Sequence, residues 1–198
     1  GSALLLRTSH NLSRVDPGFD GTRVATLRIQ LPFARYDAAA GMEFYARLVE
    51  RVRALPAVTH AGLATRIPLG SGPVHEQTFG ASVDSEPRPL PVTVVDDEYF
   101  ATLSIPLIAG RGYRRIGLER GTEVVISRRA AAILLGDATG ASSVGRQLRL
   151  ASSDVTYTVV GVVGDVHHLD LTTAPAPMVY RPMVLPTDPR VEPPTPRN

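Results

Sequence analysis

Residues 22–67 read TRVATLRIQL PFARYDAAAG MEFYARLVER VRALPAVTHA GLATRI. Ala25, Leu27, Ile29 and Leu31 alternate with Thr26, Arg28 and Gln30, the period of a half-buried strand, and Pro32 ends it. Over 38–55 the period changes. Met42, Tyr45, Leu48, Val49, Val52 and Leu55 recur at three and four, which sets one apolar stripe along a helix. Glu43, Arg47, Glu50, Arg51 and Arg53 make its wet side, with Glu43 and Arg47 spaced for an i,i+4 ion pair, and Pro56 stops the helix. Residues 58–67 read as a second strand. Strand, helix and strand form one β-α-β unit, whose crossover is expected to be right-handed.

Beyond Pro68 the texture is different. A flexible turn over 69–74 leads to short strands at 77–83 and 90–95. Asp96-Asp97-Glu98 opens a short helix running to Leu103, its acidic start matched to the positive end of the helix dipole. A strand at 106–110 precedes a basic turn at 111–115, and another strand covers 123–126. Ser127 caps a helix over 128–135 that Gly136 ends. Segments 147–150 and 155–163 pair as a hairpin, and 178–181 is the last strand. Many short strands after one β-α-β unit make the fold class α+β.

These boundaries divide the 198 residues into Gly1-Ser2, an expression scar; an N-terminal segment at 3–21; the β-α-β unit at 22–67; a mainly-β part at 68–182; and a proline-rich tail at 183–198. The two folded parts are expected to separate near 67–71, with the helix packed on 22–31 and 58–67. The apolar runs at 4–6, 130–135 and 159–163 all fall far short of the ~20 residues of a membrane span. Ala3–Arg7 reads either as the last turn of a membrane helix or as an ordinary helical turn.

Composition closes several functions. The chain is 43% hydrophobic and 20% charged, a globular balance. With no cysteine there is no disulfide scaffold, iron–sulfur cluster or thiol nucleophile. All 21 basic residues are arginine, so Schiff-base chemistry and a phosphate-loop lysine are closed as well. The net charge is only +2 and the arginines are scattered, unlike the basic stripe of a nucleic-acid binder.

The clusters that resemble chemistry have plainer readings. His167-His168 with Asp165 and Asp170 holds metal-ligand types, yet adjacent strand residues face opposite ways, so a solvated strand end is the expectation. Ser71, His75 and Asp84 lack the nucleophile elbow of a triad and read as loop. Asp96-Asp97-Glu98 reads as a helix start. Gly161 and Gly164 fit no phosphate-loop pattern and read as a bulge or close backbone contact. Tyr99, Phe100, Leu103, Ile105 and Leu107 read as core. No cofactor, metal or catalytic residue is assigned.

A series of segments in this order carries a resemblance. It runs from Asp16-Pro17-Gly18-Phe19 through the helix ending Arg53-Ala54-Leu55-Pro56-Ala57-Val58 to residues 99–111, YFATLSIPLIAGR. It continues with Val124-Val125-Ile126-Ser127, Val144-Gly145-Arg146-Gln147-Leu148, VVGVVGDV at 159–166 and Val179-Tyr180-Arg181-Pro182. The string resembles the MacB-like periplasmic core domain of FtsX-like ABC-transporter permeases, most of all the acidobacterial-type group. Ala57 stands where that family usually has Gly, and Ser127 where it usually has Asn.

The resemblance implies a non-enzymatic domain on the periplasmic side of a bacterial cell membrane. Residues 22–67 become the first half of a porter-like subdomain, 68–182 an inserted sabre-like subdomain, and Ala3–Arg7 the end of a membrane helix. The family's second β-α-β unit has no counterpart before the proline-rich tail. The implied role is to transmit motion or contact cargo and partner proteins. The implied partners are membrane helices of the same permease, a second permease copy or periplasmic protein, and a separate nucleotide-binding domain, with no nucleic acid. Arg47, Arg51 and Arg53 on the helix and Arg111, Arg114 and Arg115 after the Gly-Arg turn are the candidate contact residues, because a planar guanidinium suits interfacial carboxylates. The alternatives are a stand-alone ligand- or lipid-binding module, marked by a roomy pocket, and a small hydrolase using the histidines.

Overall fold

The computed structural model describes residues 15–32, 35–71, 73–82, 85–113, 122–153 and 155–183. Helix α1 (Ala38–Arg53) precedes strands β1 (His75–Gly80) and β2 (Arg88–Val95), helix α2 (Tyr99–Thr102) and strands β3 (Leu107–Gly110) and β4 (Glu123–Ser127). Helix α3 (Arg128–Leu135) and strands β5 (Gln147–Leu150), β6 (Thr156–Val163) and β7 (Val179–Pro182) complete an α+β fold.

The sheet order is β3-β6-β4-β7-β2-β1-β5, and β5 returns to pair with β6. Strands β6, β4, β7, β2, β1 and β5 therefore close into a barrel. Strand β3 lies against the C-terminal half of β6, where β5 has ended. The β4–β6 and β2–β7 pairs are parallel and the others antiparallel. Closure pairs nearly every strand on both sides and leaves little edge for misassociation.

The barrel interior joins Phe79, Leu90, Val124, Ile126, Leu148 and Tyr157 to Ala130, Ala131 and Leu135 of α3. Val159 and Val162 both face it although three residues apart. A β-bulge explains this: Val124 pairs with Val159 but Val125 with Gly161, so Val160 is the extra residue. The neighbouring Gly161 admits no side chain, because a Cβ there would lie 2.1 Å from the Arg111 carbonyl oxygen.

A second apolar layer covers the outside of β2, β7, β4 and β6. There Val95, Val125, Val163 and Tyr180 pack under Tyr99, Phe100, Leu103 and Tyr113. Burial on both faces explains why Val124-Val125-Ile126 and the 159–163 run are continuously apolar rather than alternating.

The helix is present, but the two expected flanking strands are not laddered. Residues 22–31 carry no strand pairing, and within 58–67 only Ala64 forms an isolated bridge, with Val95. Alternation selects which side chains share a face; a strand also needs a hydrogen-bonding neighbour, and Leu27 is 82% exposed. The first part of the chain is instead a flap. Extended residues 24–32 run to α1, where the Tyr45 hydroxyl donates to the Ile29 carbonyl at 2.9 Å. Asp37 caps α1 by accepting from the Ala40 amide. Val49 is the one buried residue of α1, and Met42, Tyr45, Leu48 and Val52 of its stripe are half-buried.

Both ends of the flap are stapled to the barrel. On the incoming side the His167 amide donates to the Pro17 carbonyl, and the Asp20 amide to the Leu103 carbonyl. On the outgoing side the Asp96 amide donates to the Leu63 carbonyl, and the Thr65 amide to the Val94 carbonyl.

Candidate functional site

The densest polar cluster lies where the flap meets the barrel. Arg53, in the last turn of α1, is three-quarters buried and donates Nη2 to Asp96 Oδ2 at 3.0 Å and to Asp97 Oδ1 at 3.2 Å. Its Nε donates to the Ala61 carbonyl at 2.8 Å, which ties the helix end to the segment that follows it. Beside it His60 Nδ1 meets Glu98 Oε2 at 2.6 Å. Gly62 lets this segment approach α2, since a Cβ there would sit 2.9 Å from Tyr99 Cα.

The acidic triplet 96–98 is thus an anchor more than a helix cap. Only Asp96 helps the following turn, by accepting from the Glu98 amide, while the Glu98 side chain caps nothing. Burial pushes the Asp96 carboxyl up to about 6, against the opposing pull of backbone hydrogen bonding and the Arg53 charge.

The histidine pair is not a solvated strand end. His167 and His168 are both buried. The backbone from Asp165 onward packs on the N-terminal segment, where a Cβ on Gly18 would lie 2.1 Å from the Asp165 carbonyl oxygen. His168 Nε2 meets the Tyr180 hydroxyl at 3.0 Å, and its buried Nδ1 has no hydrogen-bond partner among the described residues. Burial, with the nearby Arg66 charge, pushes this imidazole down to about 4, so it is neutral at pH 7. Asp165 turns away to accept from the Arg129 amide at the start of α3 and from the Arg128 guanidinium. Asp170 caps its own turn, accepting from Thr172 and Thr173. Among the described residues no group of three or more His, Asp or Glu is placed to hold a metal ion. Asp84 of the supposed triad lies outside the described residues.

The candidate contact arginines separate into two groups. Arg47 and Arg51 stand on the exposed side of α1, Arg47 in an i,i+4 pair with Glu43 at 2.8 Å. Arg53 is held in the cluster above. Arg111 places Nη2 2.9 Å from both carboxylate oxygens of Glu123, spanning the start of β4. Arg114 and Arg115 lie outside the described residues, as do Ala3–Arg7 and the tail from 184 onward.

An open groove of about 150 Å³ lies between the flap root and α2, lined by Phe19, Gly21, Val24, Thr26, Ile67, Pro68 and Leu103. Among the described residues no helix is long and apolar enough to cross a membrane.

Comparison with known proteins adds the context. The family model of the MacB-like periplasmic core domain matches residues 6–192. No curated protein matches the chain. Among solved structures, the periplasmic region of MacB from Actinobacillus actinomycetemcomitans is similar at 13% identity and a TM-score of 0.47, with 69% of this chain and 54% of that one covered. The extracellular domain of the noncanonic ABC-type transporter YknZ from Gram-positive bacteria is similar at 16% identity and a TM-score of 0.45, covering 68% and 59%. A domain of a permease protein from Porphyromonas gingivalis is similar at 21% identity and a TM-score of 0.43, covering 67% and 54%. The chain therefore spans little more than half the length of these structures.

Proposed function

The chain belongs to the MacB-like periplasmic core domain family, and from that membership we propose that it is the extracytoplasmic domain of an ABC-transporter permease, a non-enzymatic body that carries motion between membrane helices and a partner outside the membrane. The observation that carries this reading is the family match over residues 6–192.

The architecture fits the role. A closed barrel with apolar layers inside and outside is stiff, and a stiff body passes displacement on rather than absorbing it. ATP binding and hydrolysis belong, on this reading, to a separate nucleotide-binding domain. The membrane helices of the same permease and a second copy or periplasmic protein complete the assembly. Arg53 and Arg111 are engaged by largely buried carboxylates of this chain, whereas Arg51 is exposed and Arg47 pairs only with the solvent-exposed Glu43. That supports Arg47 and Arg51 as the partner-facing residues of α1, with Arg114 and Arg115 as the candidates after the Gly-Arg turn.

The test uses the full-length permease. Charge reversal at Arg47 and Arg51 should reduce assembly or transport. Because both are exposed, it should leave the stability of the isolated domain within about 0.5 kcal/mol per site. Unchanged assembly and transport in that double variant, and in an Arg114→Glu/Arg115→Glu variant, return these arginines to ordinary solvated surface.

A further inference from the structure

We propose that Arg181 and Gln77, at one mouth of the barrel, form a site for a single carboxylate group, carried by a small acid or by a protein segment. The inference stands on the interior of the barrel and is independent of the transport reading.

Three strand ends meet at this mouth. Strand β1 begins with exposed His75 and Glu76, passes half-buried Gln77 and reaches buried Phe79. Its antiparallel partner β2 runs parallel to β7, so the start of β1 lies with the end of β7, where Arg181 is the last residue but one. Strand β6 begins at the same end, with Tyr157 as its second residue. Alternation turns Gln77 inward with Phe79 and Arg181 inward with Val179, toward the core that also holds Tyr157. Phe79 and Tyr157 pack edge to face, with ring centroids 6.2 Å apart. The Arg181 guanidinium carbon lies over the Tyr157 ring, 5.3 Å from its centroid. Arg181 thus closes the apolar interior with a positive charge, and is itself only 8% exposed.

Hydrogen bonding fixes which edge of that charge is presented. Arg181 Nη1 donates to Gln77 Oε1 at 3.2 Å. A guanidinium only donates, so Gln77 must turn its oxygen toward Arg181 and its amino group away. The donors left are the Nε–Nη2 edge of Arg181 and the Gln77 amino group, and among the described residues no hydrogen bond or ion pair engages them. Nε and Nη2 lie side by side, the fork that a carboxylate bridges with its two oxygens. The direct partners of the guanidinium among the described residues are neutral, a ring face and an amide oxygen, and they return only part of the cost of burying it. One carboxylate balances the charge, whereas a phosphate dianion leaves a net negative charge in the same shielded place. Packing alone would be served by an uncharged chain such as Met; the buried charge is what a binding role explains.

Side-chain NMR of the full 198-residue chain with isotope-labelled arginine tests the proposal. Acetate replaces chloride at constant ionic strength. The Arg181 Nε–H resonance, identified by its loss in Arg181→Met or its shift in Gln77→Glu, should move along a saturating curve. The expected dissociation constant is below about 10 mM, the affinity of one charge-assisted fork. A blocked tripeptide with a central glutamate separates the two sources: tighter binding than acetate assigns a protein segment, and equal or weaker binding a small acid. Gln77→Glu sets a carboxylate against the guanidinium from within. It should weaken acetate binding at least tenfold and raise the urea midpoint of the unliganded chain. Arg181→Met should keep an equal or higher midpoint and lose the rise that acetate gives the parent; should it unfold, Gln77→Glu decides alone. Linear, unsaturable drift of the Arg181 resonance with both probes overturns the proposal. So do acetate stabilisation that survives Arg181→Met, undiminished acetate binding in Gln77→Glu, and phosphate binding as tight as acetate.

Discussion

Replacing Ser127 by alanine removes one oxygen that serves two buried amides. Ser127 is fully buried at the β4–α3 junction. Its Oγ accepts from the Ala130 amide at 3.2 Å, capping α3, and from the Met178 amide at 3.0 Å, joining that junction to the approach to β7. Loss of the cap costs about 1 kcal/mol. Leaving the Met178 N–H unpaired where water cannot reach it costs a further ~1–3 kcal/mol. The reverse bond, from the Ser127 amide to the Met178 carbonyl, survives in the variant and holds the strands in register, so the oxygen's loss is not relieved by a shift. The expected destabilisation of Ser127→Ala is therefore about 2–4 kcal/mol. For a chain of this size that is a fall in Tm of roughly 5–15 °C. Urea unfolding followed by far-UV circular dichroism reads it directly, as a lower midpoint at constant slope. Arg129→Ala, two residues away and exposed, is the control and should stay within about 0.5 kcal/mol. A loss below about 1 kcal/mol for Ser127→Ala, at unchanged slope, refutes the assignment of both bonds to that oxygen.

Tyr113→Phe removes a buried hydroxyl that donates to the Tyr180 carbonyl and accepts from the Val125 amide, and should cost about 1–3 kcal/mol in the same unfolding assay. Gly161→Ala forces a methyl against the Arg111 carbonyl and should displace β3 from β6, seen as loss of protection in 107–110 by hydrogen exchange; retained protection there contradicts the close approach. Two buried groups should oppose each other as pH falls. Asp96, raised from 3.8 to about 6, takes up a proton in the native state first, so its ionisation penalty, on the order of 3 kcal/mol, is relieved between pH 6 and 4. His168, lowered from 6.5 to about 4, is protonated first in the unfolded state, so a similar stability, on the order of 3 kcal/mol, is lost between pH 6.5 and 4. Asp96→Asn should therefore steepen the loss of stability on acidification and His168→Phe should reverse its sign, measured as urea midpoints across that window; parallel profiles for both variants and the parent contradict the assignment.

What residues 1–198 determine by themselves is whatever depends on neighbours within a few positions. Ser127 and Gly136 bracket α3 where a cap and a left-handed stop are needed, with Gly136 at φ 68°. The stripe in 38–55 is a helix, ending at Arg53, and the strands from β1 to β7 fall close to their alternating or continuous apolar runs. The α+β class follows from these local periods. Pairing does not, because a ladder bond joins residues remote in sequence. Nothing in 22–31 encodes whether a neighbour is there to accept its backbone bonds, and none is paired with it. Closure of β5 onto β6, and the bulge at Val160 that turns Val162 inward, are likewise properties of register rather than composition.

The polar residues show the same division. Local rules read Asp96-Asp97-Glu98 as a helix start, but the positive charge that engages them, Arg53, is 43 and 44 residues away. The His167-His168 pair resembled a wet strand end because burial depends on what folds back over a segment. Here that is the N-terminal stretch around Pro17 and Gly18, together with Tyr180 from β7. Charge and hydrophobic period are written residue by residue, but the dielectric around a charge and the partner across a contact exist only once distant segments have met.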